Sequence, residues 1–294
     1  MSLKCRKIAI LIVIYNGRAY IKDCLQSLKQ QTYQDFDIII VDNASTDDSL
    51  SIIKQEYSEA IIISSPSNLG YAGGNNLGLK YILNIEYQYV LLLNEDTIVD
   101  NRILEVLLKY ANETTAVAPV MYHDRRHKKK WYYGGEIDMR KGKSSNISSE
   151  PIIKKREVTF LTGCCILLHT NILRKIGLFD EKYYLYYEDD DLSMRMLNSG
   201  IKMLNVAETW LWHRVQHRQA SGYYMYYMTR NQLYFQHKYA AIFDISPVKT
   251  IIQLVRRYWI TANPEDLKYR KYVGMGIKDY IFKNMYKKEW NPKW

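Results

Sequence analysis

The sequence predicts an α/β protein with an open, mostly parallel sheet that carries helices on both faces. Short apolar runs rich in β-branched residues, beginning with Ile8–Ile14, alternate with segments whose apolar residues recur at helical spacing. Strands that are apolar throughout are typical of parallel sheets buried on both faces. Polar residues follow directly after several of these runs. Since such sheets bind ligands beyond the carboxyl ends of their strands, these polar residues are the first candidates for a functional site.

The predicted elements follow one another along the first 121 residues. The runs that predict strands are Ile8–Ile14, 36–41, 60–63, Tyr89–Leu93 and 116–121. The helices are predicted to begin at Ile21, at about Thr46, near Asn75 and after Asp100.

The composition of the chain changes at residues 122–157. A basic run at 125–130 and a glycine- and serine-rich stretch predict a long loop or a hairpin excursion there. Apolar order returns at 158–168, and 201–206 predicts another strand. Beyond Gly222, tyrosines at helical spacing predict a helical end of the chain.

The 294 residues, with a net charge of +10 and 47% hydrophobic residues, suit one large domain or one domain with an appendage. From Tyr239 onward, 11 Lys and Arg face 5 Asp and Glu, so the tail is the basic part. Such a surface can meet nucleic acid, anionic lipid or a phosphorylated substrate, or be a merely solvated face. Trp and Tyr interleaved with the cations favour an interfacial helix over nucleic-acid binding.

We expect a cytoplasmic protein that is free or peripheral at the inner face of the membrane. The start of the chain lacks the pattern of a secretion signal. The longest apolar run, at 160–168, is far shorter than the roughly 20 residues of a membrane-spanning helix. The cysteines are too irregularly spaced for a disulfide framework or a Cys-x-x-Cys metal site.

Two early features suit a nucleotide ligand. Asp42 ends the second predicted strand and could accept a hydrogen bond from a pyrimidine base, although an Asx turn or a helix cap also explains it. Residues 68–76 form a glycine-rich turn where the backbone could approach a diphosphate. An ordinary loop is the alternative, because this stretch has neither the P-loop pattern nor the position of a dinucleotide fingerprint.

Asn94, Glu95 and Asp96 follow the buried run near the middle of the sheet. Carboxylates there suit Mg²⁺ or Mn²⁺ shared with a diphosphate, because these ions take one or two carboxylates and fill other positions with phosphate and water. Asp96 could instead cap the helix that begins near Asp100. His213 is a candidate ligand, although a lone His in apolar surroundings is more often a packed core residue.

Four carboxylates, Glu188 to Asp191, stand in a row directly after a tyrosine-rich stretch. They fall in the first turn of a predicted helix that stops near Gly200, and the helix dipole favours negative charge there. The helix dipole explains an acid at Asp190 or Asp191, but it does not require all four carboxylates. Like charges so close raise some of their pKa values, as expected for a carboxylate that accepts a proton during a reaction.

Six sequence blocks together resemble a known family. They are VIYN at 13–16, VDNASTD at 41–47, NLGYAGGNN at 68–76, LLNEDT at 92–97, YYEDDDLSMRMLNSG at 186–200 and WHR at 212–214. In this order they resemble the inverting family 2 glycosyltransferases with a GT-A fold, and most closely their rhamnosyltransferase-like branch. The resemblance spans 7–238. It implies a GT-A domain at 1–238, divided near residue 121 into a nucleotide-sugar half and an acceptor half, and a helical basic extension at 239–294.

The resemblance implies a donor site. Its members are Tyr15, Asn16, Asp42, Asn68, Gly70, Gly74 and Asn94. Asp96 and His213 would bind a divalent metal, Mg²⁺ or Mn²⁺. Asn94 replaces the first acid of the family's metal motif, and Glu95 replaces an expected proline, which adds a charge with no assigned role.

The resemblance also implies a single inverting displacement. Asp189 would take the proton from an acceptor hydroxyl that attacks the anomeric carbon, with Glu188 beside it and Asp191 supporting the geometry from the helix. The donor would be a UDP- or dTDP-sugar, and the branch favours rhamnose. The acceptor would be a glycan or a lipid-linked saccharide of a cell-surface polysaccharide.

Two other functions compete with sugar transfer, a binding protein without catalytic activity and a dehydrogenase. A catalytically silent protein with the same fold could bind nucleotide sugars or a membrane surface, but the intact acidic cluster argues against it. A nicotinamide-dependent dehydrogenase would need a glycine fingerprint directly after the first strand, where the chain has Tyr15, Asn16 and Gly17.

Overall fold

The computed structural model describes residues 7–123, 130–147, 153–214, 221–261 and 263–289. The strands are β1 Ile8–Ile14, β2 Phe36–Asp42, β3 Ile61–Ser64, β4 Tyr89–Leu93, β5 Thr97–Val99, β6 Thr115–Tyr122, β7 Lys130–Tyr132, β8 Gly135–Asp138, β9 Lys143–Asn146, β10 Lys155–Glu157, β11 Cys165–His169 and β12 Lys202–His213. The helices are α1 Ile21–Lys29, α2 Ser49–Glu56, α3 Gly70–Ile85, α4 Ile103–Leu108, α5 Thr170–Ile176, α6 Glu188–Asn198, α7 Gly222–Lys238, α8 Pro247–Val255, α9 Pro264–Leu267 and α10 Arg270–Ile281. A π-helical segment, Arg256–Ile260, follows α8 directly.

Within the described residues, ten strands form one sheet along the path β10-β12-β6-β11-β4-β1-β2-β3, with β5 beside β12 and β7 beside β6. Strands β4, β1, β2 and β3 run parallel, as do β6 and β12. Strand β11 runs antiparallel between β4 and β6. The α/β class and the largely parallel sheet flanked by helices are therefore confirmed.

The apolar runs became strands because both faces of the sheet are covered. All of β4 and every residue of β1 except Val13 are buried. The predicted bounds of both strands are those found. On α1, the apolar positions Ile21, Cys24, Leu25 and Leu28 are fully buried, as their spacing predicted.

Two helix starts differ from the prediction. Helix α2 begins at Ser49 instead of near Thr46, and Thr46 lies in the preceding loop, where its N–H donates to Oδ1 of Asn16 at 2.8 Å. Helix α3 begins at Gly70 instead of near Asn75. Glycines weaken a helix and therefore suggested a turn, but here they let α3 lie close to the sheet. A Cβ at Gly78 would come within 3.0 Å of Cγ2 of Val41.

The predicted excursion at 122–157 contains a hairpin of β8 and β9. Strands β7 and β10 join the main sheet at β6 and β12. Positions 125–129 of the basic run lie outside the described residues. Of the apolar stretch at 158–168, the strand takes in only the end, since β11 begins at Cys165.

Helices α8 and α10 pack on α7, which ends at Lys238. Gly276 allows α10 to approach α7 closely, since a Cβ there would lie 2.8 Å from the carbonyl oxygen of Tyr226. The division of the chain at residue 238 stays a prediction. Among the helices in the described ranges, none combines the length and the apolar character that crossing a membrane requires.

Candidate active site

A cavity of about 600 Å³ lies at the carboxyl ends of β1, β2 and β4. Tyr15, which is 48% exposed, follows β1 in its wall, and Asn43 follows β2. Asn94, Glu95 and Asp96 contribute after β4. The start of α3, the loop before α6, the start of α7 and the C-terminal segment complete the wall. The polar residues thus meet where a parallel sheet is expected to bind a ligand.

The loops after β1 and β2 are hydrogen-bonded to each other. Asn16 has a left-handed backbone with φ of 56°, its Oδ1 accepts from Thr46, and its N–H donates to Oγ of Ser45 at 3.0 Å. Asp42 is 5% exposed, and its Oδ1 accepts from the N–H of Ser45 at 3.0 Å. Asp42 therefore stabilises a local turn, although its bond reaches the third residue on instead of the second, which an Asx turn would use. Asn43, rather than Asp42, lines the cavity.

Asn43 and Asn68 hold the start of α3 against the cavity. Oδ1 of Asn43 accepts from the N–H of Leu69 at 2.8 Å, and its Nδ2 donates to the carbonyl of Gly70 at 3.0 Å. Oδ1 of Asn68 accepts from the N–H of Gly70 at 2.8 Å and from the hydroxyl of Tyr184 at 3.2 Å. Gly70 has φ of 72°, and a Cβ there would collide with the carbonyl oxygen of Tyr184. Asn68 and Gly70 therefore shape the cavity wall, but the amides of Leu69 and Gly70 already donate within the protein.

Gly74 has a different place. It is buried on α3, and a Cβ there would lie 2.6 Å from Cγ1 of Val13 and 3.2 Å from Nδ2 of Asn43. Gly74 therefore lets α3 pack closely on β1, beside two residues that line the cavity, and its place along a diphosphate stays a prediction.

Asp96 meets His213 because β12 pairs with β5. In that pairing His213 lies opposite Thr97, and its Nε2 is 3.0 Å from Oδ1 of Asp96. The backbone N–H of Arg214 donates to the carbonyl of Asp96 at 2.8 Å and fixes the loop. His213 is buried, as expected for a core histidine, and its ring packs 4.6 Å from that of Trp131. The pairing of β12 with β5 also places His213 next to Asp96, the residue predicted to bind a metal.

The residues present fit a divalent ion that takes most of its ligands from substrate and water. The contact of Asp96 with His213 is not aligned as a hydrogen bond, and Oδ1 of Asp96 accepts no hydrogen bond from the described residues. Two ligands at right angles around an ion, each with a bond of about 2.1 Å, lie about 3 Å apart. This is the distance between Nε2 of His213 and Oδ1 of Asp96. The described ranges contain no group of three His, Cys, Asp or Glu that could hold a metal alone.

Glu95, which lies between Asn94 and Asp96 in the chain, has an altered protonation. Burial, and then the charge of the nearby Asp96, raise the pKa of its carboxyl group to about 8.

The acids at the start of α6 differ in their surroundings. Glu188 and Asp190 are buried, and burial followed by the charge of Asp189 raises both pKa values well above the usual range. Oε2 of Glu188 has no hydrogen-bond partner among the described residues. Asp189 is partly exposed, and burial raises its pKa less strongly. Its Oδ1 accepts from the N–H of Asp190 and its Oδ2 from that of Gly163, both at 3.0 Å.

Asp191 is held away from solvent. Its side chain is fully buried, and its oxygens meet Nε of Arg195 at 2.8 Å, Nζ of Lys238 at 2.7 Å and the hydroxyl of Tyr239 at 2.9 Å. These contacts join α6 to the end of α7. Asp191 is therefore a packing residue that can support the helix, and it is not open to a substrate.

One short loop before β11 connects the two acidic motifs. The N–H of Asn94 donates to the carbonyl of Cys164 at 3.0 Å, which ties this loop to the end of β4. The N–H of Gly163 donates to Asp189, and the carbonyl of Gly163 accepts from the hydroxyl of Tyr71. Since Tyr71 lines the cavity, Gly163 connects the cavity wall to Asp189.

Comparison with known proteins decides the family. The model of the family described as Glycosyl transferase family 2 matches residues 9–177, more than half of the chain. The chain belongs to glycosyl transferase family 2. The matched part of this glycosyltransferase ends before Glu188, so the acids of α6 and His213 lie outside it.

Relatives and solved structures agree with this assignment. The chain is 34% identical over 119 residues to the teichoic acid poly(glycerol phosphate) polymerase of Staphylococcus epidermidis, covering 39% of this chain and 16% of the relative. It is 26% identical over 230 residues to the O-antigen chain rhamnosyltransferase WbaN of Salmonella anatum, covering 75% of this chain and 70% of the relative. The leading relatives are longer proteins, since the chain spans only 16% and 58% of the length of two of them. The crystal structure of GalNAc-T7 with UDP, GalNAc and Mn²⁺ superposes with a TM-score of 0.62 at 14% identity, covering 96% of this chain and 57% of that one, so the GT-A fold is shared.

Sequence reasoning missed several site residues of this family 2 glycosyltransferase, among them Asn43, Tyr71, Gly163 and Lys287. Tyr71 lies in the block NLGYAGGNN, but the sequence predicts that stretch only as a turn. The signal for Gly163 was the break that it makes in an apolar run. Lys287 also lines the cavity, and it gave no signal because its place depends on how the end of the chain folds back.

Proposed function

We propose that the protein is an inverting glycosyltransferase that moves a sugar from a nucleoside diphosphate sugar to a hydroxyl of a saccharide acceptor. One observation carries the proposal. The loop before β11 holds Asp189 through Gly163 at 3.0 Å and the start of the Asn94 motif through Cys164 at 3.0 Å. A base and a diphosphate site held by the same loop suit a reaction in which an acceptor attacks a nucleotide-activated sugar.

The donor would bind in the 600 Å³ cavity. The residues proposed for the nucleotide and the sugar diphosphate are Tyr15, Asn16, Asp42, Asn68, Gly70, Gly74 and Asn94. Asp96 and His213 would hold Mg²⁺ or Mn²⁺. When bound, this ion would neutralise negative charge on the departing diphosphate.

Asp189 is the proposed general base. It takes the proton of the acceptor hydroxyl while that oxygen bonds to the anomeric carbon and the bond from this carbon to the diphosphate oxygen breaks. The displacement inverts the configuration and releases the nucleoside diphosphate. Two backbone N–H groups orient the carboxylate, and burial raises its pKa, which strengthens it as a base. Glu188 is the proposed contact of the acceptor hydroxyl, since its buried Oε2 has no hydrogen-bond partner among the described residues.

The proposed donor is a UDP- or dTDP-sugar, and the proposed acceptor is a glycan or lipid-linked saccharide in the synthesis of a cell-surface polysaccharide. The names of the Salmonella and Staphylococcus relatives, which concern O-antigen and teichoic acid, support this class of product. Rhamnose is proposed as the sugar because the relative of Salmonella anatum is called a rhamnosyltransferase.

The proposed working place is the inner face of an anionic membrane. Helix α8 and the π-helical segment expose Val248, Ile252 and Ile260 at 65%, 62% and 73%. Arg256 and Arg257 stand exposed on the same stretch. Apolar side chains beside cations suit the surface of an anionic bilayer.

Flotation with phosphatidylglycerol vesicles at low salt tests this surface. Ile252→Asp should abolish binding that the wild type shows. Ile153→Asp, at a position 63% exposed in another part of the chain, is the charge-matched control and should bind like the wild type. Failure of the wild type to bind these vesicles would refute the proposed membrane location and would leave the proposed reaction unaffected.

A thermal-shift titration with UDP, dTDP, GDP and NAD, each with and without Mn²⁺, tests the donor site. A metal-dependent rise in melting temperature with UDP or dTDP is expected, and it selects the sugars to assay for transfer. A response to NAD alone, or to none of the four, would refute the proposed function, and a response to GDP alone would refute only the proposed UDP- or dTDP-sugar donor.

A further inference from the structure

The end of the chain folds back across α7 and the loop before α6. We call residues 284–289 the C-terminal strap. The N–H of Tyr286 donates to the carbonyl of Lys182 at 3.1 Å, and the N–H of Lys288 donates to the hydroxyl of Tyr227 at 2.8 Å. Both partners belong to the body of the protein, so the strap has a defined position beside the cavity.

Buried charges anchor the strap. The guanidinium of Arg230, on α7, is fully buried and donates to the carbonyl of Tyr286 at 2.7 Å and to that of Tyr183 at 3.0 Å. The ammonium of Lys288 pairs with the buried Asp279 at 2.7 Å. Buried charges hold their geometry well because an unpaired one is costly.

This anchoring carries Lys287 into the wall of the donor cavity. Of the residues that line the cavity in the described part of the chain, Lys287 alone is a Lys or Arg, whereas Glu95 and Asp96 are acids. Within the described ranges, the ammonium of Lys287 has one ion pair, a long contact of 3.9 Å to Glu289 whose side chain is 89% exposed. Its neighbour Lys288 is committed to Asp279, so Lys287 is the cation that remains available to a ligand.

Three backbone donors at the start of α3 already have partners within the protein. At the start of α3 the N–H groups of Leu69, Gly70 and Ala72 donate to Asn43, to Asn68 and to the carbonyl of Tyr184, so these three amides cannot also receive a phosphate. A diphosphate adds negative charge beside two acids, and repulsion in a partly desolvated site is large unless cations balance it.

From this we infer that Lys287 binds the diphosphate of the donor and stabilises the nucleoside diphosphate as it leaves. The inference rests on the proposed function. Since Asn94 supplies an amide where an acid would bind the metal more firmly, Lys287 would share with the metal the neutralisation of the diphosphate. The phosphate that it meets could also belong to a lipid-linked acceptor, which the experiment distinguishes.

The test compares Lys287→Gln with Lys283→Gln by calorimetric titration of UDP and of uridine. Lys283 is an exposed cation just before the strap and does not line the donor cavity, so it controls for the loss of one positive charge. We expect Lys287→Gln to weaken UDP binding about 5- to 30-fold. This loss is smaller than the loss of a buried charged hydrogen bond would cause, because the side chain of Lys287 is about half exposed. Uridine binding and the melting temperature should not change, and Lys287→Arg should bind UDP nearly as well as the wild type.

Each outcome has one meaning. Equal UDP affinity of the wild type and Lys287→Gln overturns the inference and leaves the proposed function standing. A wild type that binds neither UDP nor uridine overturns the proposed uridine donor, and one that binds no nucleoside diphosphate overturns the proposed function itself. In steady-state kinetics Lys287→Gln should raise KM for the donor, and a rise confined to KM for the acceptor would assign the contact to an acceptor phosphate and overturn the inference.

Discussion

Replacement of Gly163 by alanine should disturb both the fold and the reaction. Its carbonyl accepts from Tyr71 and its N–H donates to Asp189. A Cβ at this position would lie 2.7 Å from Oη and 3.1 Å from Cζ of Tyr71. The first distance is shorter than real Cβ contacts allow, so either the tyrosine or the loop must move.

The size of the effect follows from these contacts. Overpacking of a buried site costs about 1–3 kcal/mol in the free energy of unfolding. If the loop moves, Asp189 loses a hydrogen bond that orients it, and kcat should fall about 10- to 100-fold because a charge-assisted hydrogen bond is worth about 1.5–3 kcal/mol. Donor affinity should fall less, since the base does not hold the donor.

Urea unfolding and initial rates of sugar transfer measure the two effects. Gly274→Ala is the matched control, because a Cβ there meets Trp259 at an ordinary 3.4 Å. Tyr71→Phe removes the oxygen of the collision, so the double variant Tyr71→Phe/Gly163→Ala should be more stable than the sum of the single losses predicts. Additive losses, or an alanine variant with the stability and kcat of the wild type, would refute the reasoning.

Other predictions concern the acids. Asp189→Asn should lower kcat about 10²- to 10⁴-fold with nucleotide affinity nearly intact, and full activity in a transfer assay would move the base elsewhere. In the pH profile of kcat/KM, activity should fall as pH drops through the raised pKa of Asp189, so the midpoint of the acid limb should lie above the usual value of about 3.9; a midpoint at or below that value would contradict it. Asp96→Ala should remove the Mn²⁺-dependent part of UDP binding in a titration, and an unchanged Mn²⁺ response would exclude Asp96 as a ligand. Asp191→Asn should lower the free energy of unfolding by about 3 kcal/mol because it leaves Arg195 without its carboxylate partner and Lys238 with Asp180 alone; normal stability with lost turnover would instead make Asp191 catalytic.

The sequence alone determined the elements whose pattern is local. The bounds of β1 and β4 were predicted correctly because a fully apolar run has one stable place, between two covered faces of a sheet. The motifs after these strands could also be read, since the direction of a parallel sheet brings its carboxyl ends together. The start of α3 at Gly70 could not be read, because glycine is unfavourable in an isolated helix and becomes suitable only when the helix packs closely on a sheet.

Only the tertiary structure decided which polar residues meet. Asp96 and His213 are far apart in the chain and lie 3.0 Å apart because β12 pairs with β5. Four consecutive acids looked alike in the sequence, yet Asp189 is held by Gly163 beside the cavity wall, whereas Asp191 is buried against α7. The physical reason is that hydrophobic periodicity reports which side of an element is buried, while contacts between distant polar groups depend on strand order and on where the chain returns.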